Sequence, residues 1–60
     1  LSPKEIIDQQ IIVEIKTYLS NTDLSVKNIA SELHFDDPSY MCRFFRRLTG
    51  LTPMDYRNKR

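Results

Sequence analysis

The stretch DDPSYMCRFFRRLTG, residues 36–50, decides the fold of this chain. Pro38 suits the first position of a helix, where its missing N–H costs no hydrogen bond, and Asp37 before it can cap the free amides. Gly50 supplies the left-handed residue that commonly ends a helix. The sequence therefore predicts a helix with both ends marked, lying between Asp37 and Gly50.

This helix is predicted to have two unlike faces. Its apolar residues follow the spacing i, i+3, i+4, i+7 and form one buried stripe: Met41, Phe44, Phe45 and Leu48. The other side repeats the spacing with polar residues: Ser39, Cys42, Arg43 and Arg46, with Arg47 beside them. A row of guanidinium groups on a helix fits a DNA major groove, because a helix has the right width and Arg pairs bidentately with guanine. A solvated basic face is the alternative interpretation.

The net charge of +1 hides an asymmetry along the chain. Residues 1–40 contain three Lys and seven acids, whereas residues 41–60 contain six Lys or Arg and Asp55 as their single acid. The two parts therefore carry −4 and +5. Positive charge gathered in the last third is compatible with nucleic-acid binding. A basic tail kept for solubility is the alternative interpretation of Arg57, Lys59 and Arg60.

Sixty residues form one domain, near the lower limit for folding without disulfides or metals. The single cysteine, Cys42, excludes an internal disulfide and fits a reducing, cytoplasmic location. Its place on the polar side of the helix predicts an exposed thiol. No apolar run is long enough to span a bilayer, and the first ten residues are too polar for a signal peptide. The absence of an initiator Met predicts that the chain is a fragment.

A long helix is predicted at the N terminus, over residues 2–20. Ser2 can cap this helix, Pro3 suits its first position, and Glu5 completes a capping box. One broad face carries most of the apolar side chains: Ile7, Ile11, Ile12, Ile15, Tyr18 and Leu19. The opposite face carries two more, Ile6 and Val13. A helix that is apolar on two sides is usually held between two bodies, and the rest of this chain can supply one of them.

A second, short helix follows, capped by Ser25. Its inward residues are expected to be Val26, Ile29, Ala30 and Leu33, with Leu24 as an anchor before it. The turn from His34 to Asp36 then leads into the basic helix. Two short helices joined by such a turn describe a helix-turn-helix, here over residues 25–49, and its second helix is the one that enters the groove.

A last short helix is predicted over residues 52–58, where Thr52 can cap and Pro53 can start it. The segment LTPMDY at 51–56 repeats the pattern of LSPKEI at 1–6, at an offset of fifty residues. This repeat favours an earlier copy of the same unit, of which Leu1 is the tail, with the long helix as the link between copies. Two unrelated capping boxes that each follow a Leu are the alternative.

Three segments resemble the C-terminal signature of the AraC/XylS family of bacterial transcription regulators. They are DLSVKNIA at 23–30, FDDPSYMCRFFRRLTG at 35–50 and LTPMDYR at 51–57. The resemblance implies an all-α fold in which two helix-turn-helix subdomains, joined by a long helix, bind two successive major-groove segments. This chain would then be the linker helix and the second subdomain.

The resemblance also implies roles for individual residues. The base-reading positions fall on Pro38, Ser39, Cys42, Arg43 and Arg46. The positions that contact the DNA backbone include Ser25, Lys27 and Arg47. In one departure, this chain has His34 where the family usually has Gly, and a positive φ there would carry some cost. Because a proline and a thiol are poor hydrogen-bond donors, direct readout is expected to rest mainly on the two arginines and the serine.

No enzymatic activity and no cofactor are expected, because the single His, single Cys and scattered acids provide neither metal-ligand spacing nor a nucleophile–base pair. The main competing hypothesis is a protein-binding helical module that uses Ile6 and Val13 as its contact. We favour a helix-turn-helix bundle of three to four helices with a long N-terminal linker helix. Its expected partners are double-stranded DNA and, through Ile6 and Val13, a preceding subdomain; no membrane partner is expected.

Overall fold

The computed structural model describes residues 2–59 of the chain, and these residues contain four helices. In chain order they are α1 (Pro3–Asn21), α2 (Val26–Glu32), α3 (Pro38–Thr49) and α4 (Pro53–Asn58). The predicted all-α fold is confirmed. Leu1 and Arg60, which the sequence assigned to an earlier repeat and to a basic tail, lie outside the described residues.

Each helix begins directly after a residue whose side chain accepts a hydrogen bond from a first-turn amide. The donor–acceptor distances are 3.2 Å to Ser2, 3.1 Å to Ser25, 2.9 Å to Asp37 and 3.1 Å to Thr52. Proline opens the first turn of α1, α3 and α4. The helix starts are therefore set locally, by side chains that satisfy amides the helix itself leaves without partners.

The turn between α2 and α3 contains the residue that departs from the family pattern. His34 has φ of 64°, and its N–H donates to the carbonyl of Ser31 at 3.1 Å. The next amide, of Phe35, donates to the carbonyl of Ala30 at 2.8 Å. These two bonds form a Schellman motif, in which glycine usually occupies the left-handed position. His34 therefore adopts the left-handed conformation in the place where the family usually has glycine.

The core is formed by side chains from the C-terminal half of α1, from α2 and from α3. Its buried apolar residues are Ile12, Ile15, Leu19, Ile29, Ala30, Met41, Phe44 and Phe45. Phe45 is fully buried, and its ring meets the ring of Tyr56 on α4 edge-on, with centroids 5.8 Å apart. α4 therefore packs against both α1 and α3 and covers this side of the core.

Two residues predicted to face the core lie at its edge. Ile7 is 56% exposed, because the first turns of α1 extend past the packed body and α1 buries no residue before Ile12. Leu48 is 37% exposed, since the last turn of α3 faces the polar start of α1 and lines a hollow with Glu5 and Asp8. Both predictions were wrong, although each residue lies in register with the buried stripe of its helix.

Arg57 is a structural residue and not part of a solubilising tail. Its Nε donates to the carbonyl of Leu19 at 3.2 Å, and its Nη2 donates to the carbonyl of Thr22 at 3.1 Å. The solubility interpretation was therefore wrong for Arg57. None of the helices found in residues 2–59 has the length and apolar character needed to cross a membrane.

Candidate nucleic-acid interface

α3 presents an unpaired basic face to solvent. Its inner side buries Met41, Phe44 and Phe45, and its outer side exposes Arg43 and Arg46. Within residues 2–59, neither arginine side chain makes a hydrogen bond or an ion pair. Their guanidinium donors are therefore free to bind acceptors that this chain does not provide.

Arg47 is held differently from the other two arginines of α3. Its guanidinium carbon lies 5.9 Å from the centroid of the Phe44 ring, a cation–π distance. Arg47 is also one of two cations in the last turn of α3, where positive charge is favourable. Arg47 therefore has a structural contact that Arg43 lacks, and its charge lies beside the charges of Arg43 and Arg46.

Ser39 and Cys42 occupy the same helix nearer its N terminus. Ser39 is exposed, and its backbone amide donates to the carboxylate of Asp37 at 2.9 Å. The Cys42 side chain is half-buried, so the exposed thiol predicted from the sequence is corrected to a partly covered one. Burial and, second, the nearby Asp37 carboxylate raise the pKa of the Cys42 thiol. The thiol therefore stays neutral at physiological pH and is a weak donor.

The start of α2 lies on the same side as the start of α3. Lys27 is exposed, and it lines, together with half-buried Pro38, a hollow of about 340 Å³ between α2 and α3. The structure thus places one predicted backbone-contact residue and one predicted base-reading residue on the same hollow. Ser25 is exposed at the same helix start, where its hydroxyl accepts from the amide of Asn28.

Sequence reasoning missed Ser31 and Asp36 as lining residues of this hollow. The position of Ser31 carried a usable signal, because residues four apart on a helix share a face and Lys27 is four residues earlier. Asp36 carried no such signal, because it lies in the turn between α2 and α3, where helical periodicity does not apply. No group of His, Cys, Asp or Glu suited to a metal ion occurs among the residues the structure describes.

A second open surface lies on α1, away from the core. Ile6 is 48% and Val13 60% exposed, and with Gln9, Gln10 and Glu14 they line an apolar hollow of about 510 Å³. The two-sided apolar character predicted for this helix is therefore present. Within residues 2–59, no other part of the chain covers this face.

The fold and the exposed basic helix define a helix-turn-helix module. A family profile described as "Helix-turn-helix domain" matches residues 1–59. The chain belongs to the AraC-type helix-turn-helix family, and it is a DNA-binding module of the class found in transcription regulators.

Three relatives illustrate the match. The HTH-type transcriptional regulator YijO of Escherichia coli is 36% identical over 92% of this chain and 19% of its own length. The regulatory protein PocR of Salmonella typhimurium is 34% identical over 88% of this chain and 18% of its own. The transcriptional regulatory protein YesN of Bacillus subtilis is 47% identical over 62% of this chain and 10% of its own. The chain thus spans less than a fifth of each relative; no solved structure matches it.

Proposed function

We propose that this chain is the distal helix-turn-helix of a transcription regulator and binds double-stranded DNA sequence-specifically, with α3 in the major groove. The observation that carries the proposal is the pair of exposed, unpaired arginines, Arg43 and Arg46, on a helix whose opposite face is anchored in the core. Anchoring fixes the backbone of the helix, so both arginine side chains extend into solvent from fixed positions. Such a helix reads the hydrogen-bonding pattern of base edges in the major groove.

The base-reading positions of the proposal are Pro38, Ser39, Cys42, Arg43 and Arg46. The arginines supply bidentate donors to guanine, and the serine hydroxyl can donate or accept. The neutral thiol of Cys42 and the ring of Pro38 contribute shape and apolar contact and add no charge. Specificity therefore rests chiefly on Arg43, Arg46 and Ser39.

The proposed contacts to the DNA backbone come from Ser25, Lys27 and Arg47. Contacts of this kind set the position and orientation of a protein on the duplex without reading its sequence. Lys27 and Arg47 each add a positive charge beside the recognition helix, and their neutralisation of phosphates releases counterions. The protein acts by binding and not by catalysis, without a cofactor, in the cytoplasm together with the DNA.

The apolar surface of α1 around Ile6 and Val13 is proposed to cover the core of a preceding helix-turn-helix subdomain of the same protein. Three observations support this occupant. The surface is apolar and open, the relatives are more than five times longer than the aligned segment, and the pattern at 51–56 recurs at 1–6. Two linked subdomains would place the second binding event within one molecule, which raises affinity by about 10² to 10⁴.

A protein-binding module is the second candidate, since the same apolar surface could receive an unrelated protein while the arginines stay solvated. A salt titration with a random duplex separates the two candidates. A DNA module loses affinity steeply as salt rises, because bound phosphates regain their counterions. Lys27→Ala should flatten this dependence, because Lys27 is a proposed contact to a phosphate, whereas Lys4→Ala is the matched control, because Lys4 lies at the start of α1 and pairs with Asp8 at 2.8 Å. The absence of measurable DNA binding would reject the proposal.

A further inference from the structure

His34 occupies a backbone position that costs free energy for any side chain other than glycine's hydrogen. With φ of 64° it holds the left-handed place of the Schellman motif that ends α2. Its imidazole is exposed and forms no hydrogen bond or ion pair within residues 2–59. The fold therefore gains no visible contact from this side chain, and glycine would meet the backbone requirement better. A residue that is held in an unfavourable backbone conformation, and whose side chain makes no stabilising contact, indicates a functional role.

The hollow between α2 and α3 gathers the donors that surround this imidazole. Lys27 and Ser31 lie four residues apart, on one face of α2, and His34 follows them in the turn. The three side chains line the same 340 Å³ space and have no partners within the described part of the chain. An ammonium, a hydroxyl and an imidazole are all donors to phosphate oxygens.

We propose that this hollow binds one phosphate of the DNA backbone, and that His34 replaces glycine here because its imidazole donates to that phosphate. The inference rests on the proposed function, and it adds Ser31 and His34 to the backbone contacts. Pro38 lines the same hollow, so the bound phosphate would flank the groove that α3 enters. This contact would fix the register of α3 on the duplex.

One lining residue opposes an anion. Asp36 lines the hollow with a carboxylate that has no ion pair in residues 2–59. Its repulsion lowers the affinity of the hollow for phosphate, and Lys27 is the lining cation that offsets it. Removing the negative charge of Asp36 should therefore strengthen DNA binding. A variant that had merely misfolded would not bind DNA more tightly.

The first experiment replaces His34 with glycine. DNA binding of the 60-residue chain is measured with a random duplex and a preferred duplex, and unfolding is followed by circular dichroism. His34→Gly should weaken binding to both duplexes by about 3- to 10-fold, the effect of one lost hydrogen bond. Its melting temperature should stay equal or rise, because glycine relieves the positive φ.

Unchanged affinity, or a lower melting temperature, would overturn the assignment of His34 to a phosphate. DNA binding by the parent chain distinguishes failure of this inference from failure of the proposed function. A parent that binds DNA with a steep salt dependence while His34→Gly binds equally well rejects the phosphate contact alone. A parent that binds no DNA rejects the proposed function itself.

The second experiment compares two substitutions that each remove one negative charge. Asp36→Asn removes a carboxylate inside the hollow, and Glu32→Gln removes an exposed one at the end of α2 that does not line it. Both raise the net charge equally and so give the same long-range attraction. Asp36→Asn should tighten DNA binding at least threefold more than Glu32→Gln. Equal effects would show that no phosphate enters the hollow.

Discussion

Arg57 on α4 donates a hydrogen bond from Nε to the main-chain carbonyl of Leu19 on α1, at 3.2 Å and across 38 residues of sequence. A second bond, from Nη2 to the carbonyl of Thr22 at 3.1 Å, extends the contact past the end of the helix. α1 carries no basic residue in its own last turn. Arg57 therefore supplies both donors and positive charge to carbonyls that the helix leaves without partners. The last helix thereby fastens the long helix to the helix-turn-helix.

Loss of this contact should destabilise the fold. We expect Arg57→Ala to lower the free energy of unfolding by about 1 to 3 kcal/mol, because hydrogen bonds from a charged donor are lost from a partly buried site. Urea denaturation provides the measurement. Lys59→Ala is the matched control, since Lys59 is exposed and its removal should change stability little. Equal curves for the two variants would show that the contact contributes nothing to stability.

The core depends on the fully buried Phe45, which touches α4 through the ring of Tyr56. Phe45→Ala should cost about 3 to 5 kcal/mol, enough to unfold most molecules of so small a domain. Leu48→Ala on the same helix should cost far less, because Leu48 is already 37% exposed. Thermal melting checks both. A Phe45→Ala variant that melted within a few degrees of the parent would contradict the assignment of the buried face.

Two arginines of α3 should contribute to DNA binding in different ways: Arg43 by reading a base and Arg47 by contacting the DNA backbone. Arg43→Ala should weaken specific binding by about 1 to 3 kcal/mol and relax the preference at one base pair. Arg47→Ala should weaken all sequences about equally and flatten the salt slope by about one unit. Quantitative binding to specific and random duplexes at several salt concentrations measures both effects. The assigned roles would be wrong if the two variants lost affinity in the same way on both duplexes.

The Cys42 thiol provides a chemical probe of the same helix. Since burial and the Asp37 carboxylate raise its pKa, less thiolate is present at any given pH, and alkylation should be slower than for a free thiol. Asp37→Asn removes the charge but keeps a good capping side chain, so it should speed alkylation while α3 stays intact. Mass spectrometry with iodoacetamide at a series of pH values gives the rates.

Bound duplex should protect Cys42 from alkylation if α3 lies in the groove. Protection that increases with DNA concentration and disappears at high salt would support this placement. Unchanged alkylation at saturating DNA would place the DNA on another surface.

The open face of α1 should matter in a longer protein and little in this chain. Ile6 is 48% exposed, so Ile6→Asp should leave the stability of residues 1–60 nearly unchanged. In a chain extended N-terminally by about fifty residues, one further repeat unit, the same change should lower stability, because a charge would enter a covered apolar surface. Unfolding curves of both lengths test this.

The longer chain should also bind an operator far more tightly, by the gain that linkage provides. Equal affinities at the two lengths, or loss of folding in the short chain with Ile6→Asp, would exclude the two-subdomain arrangement. The basic face of α3 would remain as an independent proposal.

The sequence by itself determined the helix starts and the amphipathic character of α3. Caps at Ser2, Ser25, Asp37 and Thr52 act within three residues, so their signals are local and readable. The 3.6-residue period likewise placed Met41, Phe44 and Phe45 on one side without knowledge of their partners. The family resemblance identified His34 as the residue in the usual place of glycine, whereas its positive φ is known only from the backbone geometry.

Only the tertiary structure decided which members of each apolar stripe are covered. Periodicity gives the direction of Ile7 and Leu48 but not the length of the neighbouring helix, so it could not show that α1 extends past the body. The partners of Arg57 lie more than thirty residues away, and no local pattern connects them. The hollow beneath His34 exists because the turn folds α3 back against α2. Contacts between distant segments depend on the packing of whole helices, which the local signals of a sequence do not contain.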